Sequence, residues 1–505
     1  MNTRDLFRAA ARWVTEHPLQ DLDARPAFIY RPGAEPPAPA RETAPILARR
    51  PATRLPTVAG TARAVREGSQ SAREAVELSL QRIAALNRKL RAFVSVRERE
   101  ALEEAERLDA ELRAGRLRGP LHGVPLSVKD VIHVAGVATT ASSRVLAGFV
   151  PEEDASAVER LRAAGAVVIG KTETHEFALG VTTPQSRNPW DPTRIPGGST
   201  GGSAIAVATG MTPGALGTDT RASIRVPAAL SGVVGFKATF GLVPTHGVVT
   251  LSWSMDHVAP MAVTVEDVAL LLDVIAGRDP RDPNSVERPG ASYAGYVGAD
   301  VAGLTLGVPA AAFEGADPEV ARAVRASLYG LQAAGVVVRE LEEPASRDFE
   351  MTNAAGMIVS RAEAATLHGR WLAQHADRYT AETLAQLDEA SRVPAVVYLA
   401  AQRLREEFRQ RMLDLLHRVD ALALPTSLVQ APRVEEAEQY LLVLSRNSVP
   451  WSFVGFPAVS VPCGRSAARL PIGLQLVAAP FQDGRLIALG SAVEALGLWT
   501  AEFPP

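Results

Sequence analysis

A chain of 505 residues exceeds an ordinary single domain unless it builds one large layered α/β structure with insertions. It is 47% apolar and 22% charged, as a globular protein with a sizeable core should be, while a net charge of −3 and 5% aromatics offer nucleic acid or an anionic membrane neither a basic field nor a stacking surface. One cysteine, Cys463, excludes internal disulfides and multi-thiolate metal sites, and its apolar surroundings predict a small buried hydrophobe.

In chain order, the first 29 residues predict one short amphipathic helix, around positions 6–14. From 31 to 57 the chain is rich in proline, alanine and arginine without any period, which reads as a linker or a surface strap. Residues 1–55 are therefore an N-terminal extension, which either folds onto the core or helps to form a homodimer, and residues 56–505 are the main domain. The extension lacks the apolar stretch of a signal peptide, and no apolar run approaches the roughly 18–20 residues needed to span a bilayer. The expectation is a soluble, cytoplasmic protein.

Beyond Pro56, helices and short apolar strands alternate, the pattern of an α/β fold. Ser71 and Glu74 have capping-box spacing, with Val76, Leu80 and Ile83 on one helical face. Residues 155–164 predict a helix and 166–170 a strand; 399–417 predict a long helix with Leu404, Phe408, Met412 and Leu415 as its packing stripe. Between 120 and 260 Gly, Ser and Thr crowd among apolar residues, a texture that signals backbone approaching backbone or a ligand.

Two simple readings of the Gly/Ser run around Ser199 fail. Gly197 to Gly201 matches G-x-S-x-G, but prolines stand where that motif needs an apolar strand. A phosphate loop needs a lysine that the run lacks. The run does not stand alone, however. Gly123-Val-Pro-Leu-Ser-Val-Lys-Asp130 precedes it, and Gly217-Thr-Asp-Thr-Arg-Ala-Ser-Ile-Arg-Val-Pro227 follows. In this order and spacing the three blocks resemble the amidase-signature family. GKTETHEFALG, RNPWDP, SMDHVAP, DALALPT, FPAVSVPCG and LPIGLQLV extend the resemblance across roughly residues 56–490.

The resemblance implies a single large α/β domain with a mixed, mostly parallel central sheet covered by helices. It implies Lys129 as base, Ser199 as proton relay after a cis Gly198–Ser199 bond, and Ser223 as nucleophile. Backbone N–H groups of Thr220, Arg221, Ala222 and Ser223 would form the oxyanion hole. The implied reaction is hydrolysis of a small-molecule carboxamide, anilide or carbamate through an acyl-serine, without metal or organic cofactor. The chemistry is physically sound. A serine hydroxyl needs a base, and no histidine is close to either serine in the chain. A lysine serves only when neutral; lowering its pKa from about 10.4 to near 7 takes roughly 4 kcal/mol, which burial can supply. Leu126, Val128, Val131 and Ile132 surround Lys129 in sequence; the plain alternative is a strand-end lysine paired with Asp130.

Arg221 and Ala222 depart from the family's usual glycines, and Thr200 from its usual serine. Arg221 allows three readings: it points outward or pairs with an acidic neighbour, it faces the pocket and selects an anionic substrate, or it weakens the site and leaves a ligand-binding homologue. Gly198, Arg221, Trp253 and Met255 are candidate substrate contacts. Asp219 and Arg225 should brace the turn, and His175 and Glu176 should support the wall. His246 and His257 are better read as satisfied structural residues than as pocket lining. A rival enzymatic reading is the glutamine-type amidotransferase component, which hands ammonia from glutamine to a partner.

Overall fold

The computed structural model describes residues 3–16, 53–287 and 292–504. Most of the predicted linker, and with it the reading of a surface strap, lies outside them. Among the described residues eleven strands form one sheet. They are β1 (Phe93–Val96), β2 (Pro125–Lys129), β3 (Val167–Thr172), β4 (Gly214–Asp219), β5 (Val234–Lys237), β6 (His257–Ala262), β7 (Thr305–Pro309), β8 (Val337–Leu341), β9 (Ala421–Pro425), β10 (Ala458–Arg465) and β11 (Pro471–Val477). Their spatial order is β1-β3-β2-β4-β6-β5-β10-β11-β9-β7-β8.

The sheet is mixed, as the resemblance implied, but parallel pairing does not dominate it. β2 is parallel to β3 and β4, and β7 to β8 and β9; the other six pairings are antiparallel. Parallel neighbours need a long crossover, which the helical connections of the two flanks provide. β10 and β11 are joined directly by a short turn and pair antiparallel.

Helices cover the sheet, so β2, β3 and β4 are buried along their whole length. The capping box forms: Ser71 Oγ accepts from Glu74 N–H at 3.0 Å, and Glu74 accepts from Ser71 N–H at 2.7 Å. The helix expected at 155–164 runs Ser156–Ala163, and the long one expected at 399–417 runs Ala395–Leu416, starting just after Pro394. Its stripe of Leu404, Phe408, Met412 and Leu415 is buried in a cluster with Trp451. The N-terminal helix, Thr3–Glu16, packs on the helix Ser346–His375, burying Ala10 and Val14 against that cluster. Cys463 is buried in β10, where burial pushes its thiol up to about 12. Among the described residues no helix is long and apolar enough to cross a membrane.

Candidate active site

β2 and β4 run parallel and end at the same edge, the place where open α/β sheets present side chains to ligands. β2 ends in Lys129, which is fully buried. Its Nζ lies 2.8 Å from Ser199 Oγ, 3.0 Å from Thr200 Oγ1 and 2.8 Å from Thr218 Oγ1. Pairing with Asp130 does not occur, because Asp130 turns to Lys171 at 3.0 Å and to the hydroxyl of Thr140. Burial therefore outweighs the pull of Asp219 and Asp256 and brings the Lys129 ammonium down to about 7. A neutral amine has two hydrogens and one lone pair. Thr200 Oγ1 donates its own hydrogen to Thr218 O at 3.0 Å, so it can only accept from Lys129. Ser199 or Thr218 must then donate to the lone pair.

Ser199 follows a cis Gly198–Ser199 peptide bond and leads into the helix Gly201–Ala208. Thr183 Oγ1 reaches Gly197 O at 3.0 Å, and His175 N–H donates to Ser199 O at 3.2 Å. A Cβ on Gly198 would stand 1.5 Å from Thr182 O, so only glycine fits this close approach. Here the small-residue texture of the sequence has its reason: backbone meets backbone.

The turn from β4 to the short helix Arg225–Ser231 carries Ser223. Its carbonyls are tied back: Arg221 O accepts from Arg225 Nη2, Ala222 O from Val226 N–H, and Ser223 O from Thr200 N–H. The last bond, at 3.2 Å, joins the two serine-bearing loops. The N–H groups of Thr220, Arg221, Ala222 and Ser223 donate to no acceptor among the described residues. Four buried backbone donors in a row without acceptors are unusual and suit an incoming oxyanion.

The expected brace is present. Arg225 is fully buried and grips Asp219 at 3.0 and 3.1 Å, while its remaining hydrogens reach Ser448 O, Gln475 Oε1 and Ser452 Oγ. Although burial opposes it, Arg225 holds the Asp219 carboxyl below the usual carboxylate range. Asp256 accepts from Thr220 Oγ1 at 2.6 Å and from two backbone N–H groups; burial raises its carboxyl to about 6.

Arg221 does not point outward, nor does it pair with an acid. Its side chain is 7% exposed, Nη2 lies 3.5 Å from Asn353 O, and Nε has no partner. Neither Arg221 nor Ala222 has a positive φ, so the turn does not need the glycines that the resemblance leads one to expect. Arg221 lines a narrow cavity with Gly180, Met357, Arg361 and Gln386, which adjoins a wider cleft of ≈ 440 Å³ walled by Thr182, Ile195 and Leu441.

Comparison with known proteins places this geometry. The family model for Amidase matches residues 74–487. The chain belongs to the amidase-signature family. It is 38% identical to a glutamyl-tRNA(Gln) amidotransferase subunit of Chloroflexus aurantiacus, over 89% of this chain and 98% of that one. An amidase of Pseudomonas putida is 39% identical over 90% and 98%. The native peptide amidase of Stenotrophomonas maltophilia superposes with a TM-score of 0.77 at 32% identity, covering 87% of this chain and 96% of that one. Family members of this kind are hydrolases of C–N bonds.

Within this amidase fold, two candidate contacts lie elsewhere. Met255 is fully buried in the core with Phe349, Phe408 and Trp451. Trp253 is 43% exposed and lines a separate surface cleft with Glu363 and Tyr398. Both lie in the loop at 251–256, whose shape is set by hydrogen bonds from the N–H groups of Leu251 and Ser252 to Asp256 and of Ser254 to Glu363. His175 is buried beneath Gly180 with Nδ1 3.2 Å from Thr182 Oγ1, and Glu176 accepts from Ser143 and Thr380. His257 is held by Met255 O and Asp219 O, and burial keeps it neutral. His246 is half-buried. Thr218 was legible in the block before the nucleophile turn but carried no separate signal. Arg361, Asn353 and Gln386 come from a stretch with no recognisable motif. Among the described residues no group of three His, Cys, Asp or Glu side chains could hold a metal ion.

Proposed function

We propose that residues 56–505 form an amidohydrolase in which Ser223 attacks the carbonyl of an amide, anilide or carbamate. The observation that carries this reading is the 2.8 Å contact of Ser199 Oγ with a buried lysine that no carboxylate neutralises. Lys129 donates to Thr200 and Thr218, and its lone pair receives the Ser199 hydrogen. Ser199 in turn takes the proton of Ser223 as the serine adds to the carbonyl. The oxyanion is met by the unpaired N–H groups of residues 220–223, each such donor contributing on the order of 3 kcal/mol to the barrier reduction. When the tetrahedral species collapses, Ser199 returns the proton to the leaving nitrogen, and water releases the acyl group by the same steps reversed. The residues themselves supply nucleophile, base and electrophilic donors, so the scheme calls on no metal or organic cofactor.

A small serine-reactive fluorophosphonate tests this without a guess at the substrate. One adduct on Ser223, absent in Ser223→Ala, is the expected result; a folded protein that remains unlabelled would overturn the mechanism and favour the ligand-binding homologue. A second reading rests on the similarity to the glutamyl-tRNA(Gln) amidotransferases: the chain releases ammonia for a partner protein. Amide turnover by the purified chain alone separates the two.

A further inference from the structure

We infer that the amide substrate carries a carboxylate, held between the guanidinium groups of Arg221 and Arg361 beside the Ser223 turn. The inference rests on the proposed amidase chemistry and adds the substrate class. Arg221 and Arg361 are 7% and 6% exposed and line the same narrow cavity, together with Gln386. Among the described residues neither forms an ion pair. Arg361 donates through Nε to Gln386 Oε1 at 2.9 Å and reaches Leu179 O at 3.4 Å; Arg221 has only the long contact to Asn353 O, and its Nε is unused.

Arg225, four residues beyond Arg221, shows what a structural guanidinium looks like in this protein. It is paired with Asp219 and saturated by carbonyl, amide and hydroxyl oxygens. Arg221 has no such set, and two buried cations without counter-ions repel each other. Burial and the facing Arg361 lower the Arg221 guanidinium to about 9; burial lowers Arg361 to about 10 despite Glu382. Glu382 is the one acidic residue on the lining, and it sits at the exposed rim, 3.7 Å from His175 Nε2 and accepting from Gln386 Nε2. The cavity thus has two cations inside and one anion at its mouth, a net deficit of one negative charge.

Size points the same way. The narrow cavity measures ≈ 30 Å³, and one water needs about 10–15 Å³ by that measure, so two oxygen-sized groups fit. That is a carboxylate rather than a whole substrate. The body of the molecule belongs in the adjoining cleft of ≈ 440 Å³, which shares Glu382, Gln386 and Leu441 with the cavity. A guanidinium fork binds a carboxylate through two parallel hydrogen bonds, and Arg221 offers its free Nε for one of them.

The test uses full-length Ser223→Ala protein, which binds without turnover. Calorimetry compares monoamides of short straight-chain dicarboxylic acids with neutral straight-chain amides of the same lengths. At one length the carboxylate should bind about 10-fold or more tighter than its neutral counterpart, the effect of one charged hydrogen-bonded pair. Arg221→Gln and Arg361→Gln should each remove the preference, and Arg361→Lys, which keeps the charge without the fork, should retain part of it. Equal affinity for both series, no measurable binding of any carboxylate, or a preference untouched by both glutamine variants would overturn the inference. Fluorophosphonate labelling of the wild-type protein is scored separately. Labelled Ser223 without carboxylate preference defeats this inference alone, and carboxylate preference without labelling defeats the hydrolase mechanism alone.

Discussion

At the scale of single residues, the buried Lys129 amine links the proposed activity to stability. Lys129 titrates near 7 in the fold, so kcat/KM for amide hydrolysis should rise along an acidic limb centred there and level off above it, as a pH–rate profile will show. Lys129→Ala should lower kcat/KM by about 10³-fold or more. In the proposed mechanism Thr218 Oγ1 accepts from the amine, which favours its charged form; Thr218→Val should therefore move the acidic limb to lower pH. The same burial has a thermodynamic side. The folded ammonium titrates near 7 and the unfolded one near 10.5, so across that interval the unfolded chain binds more protons and stability rises with pH. Below 7 the folded protein bears the full cost of a buried charge. Lys129→Met should then be more stable than wild type by on the order of 1 kcal/mol or more below pH 7, with the gap closing toward alkaline pH. Thermal unfolding at several pH values reads this directly; a variant less stable throughout would show that the three hydroxyls repay the burial.

At the scale of elements, the β4-to-helix turn is an anchored device. Its carbonyls are drawn back by Arg225, Val226 and Thr200, while the N–H groups of residues 220–223 have no acceptor among the described residues. Asp219 holds the anchor, and Asp219→Asn leaves Arg225 buried with two of its six hydrogen bonds weakened and its counter-charge removed. The expected loss is about 3–5 kcal/mol in urea unfolding, because a buried charge deprived of its partner costs more than the pair contributes. The antiparallel centre of the sheet was not legible in chain order. Strand and helix alternation reads alike for a parallel sheet and for one in which the crossovers occur only at the flanks, and pairing partners such as β5 and β10 are far apart in the chain.

At the scale of the whole molecule, a single chain brings Lys129, Ser199 and the turn that carries Ser223 to one sheet edge, the groups that the proposed mechanism requires. The purified chain should therefore turn over simple amides without tRNA or a second protein. Turnover that appears only on adding another protein would support the amidotransferase reading. Much of this was written in the residues. The lysine after an apolar strand, the Gly/Ser run and the serine before Ile-Arg-Val-Pro marked the groups that the proposed mechanism uses, because such chemistry demands particular atoms in short, ordered blocks. Capping at Ser71 and the stripe from Leu404 to Leu415 were equally local, set by hydrogen-bond geometry and helical period. What could not be read depends on folding. Arg221 had three readings until its side chain was seen buried without an acid. Arg361, far along the chain from it, reached the same cavity only through the packing of the helix Ser346–His375. Trp253 and Met255, close in sequence to blocks that line the site, went to the surface and the core. Local pattern points to the candidate reacting atoms, since they lie in short ordered blocks; the meeting of distant charges in a shared cavity is settled by the packing of the complete chain.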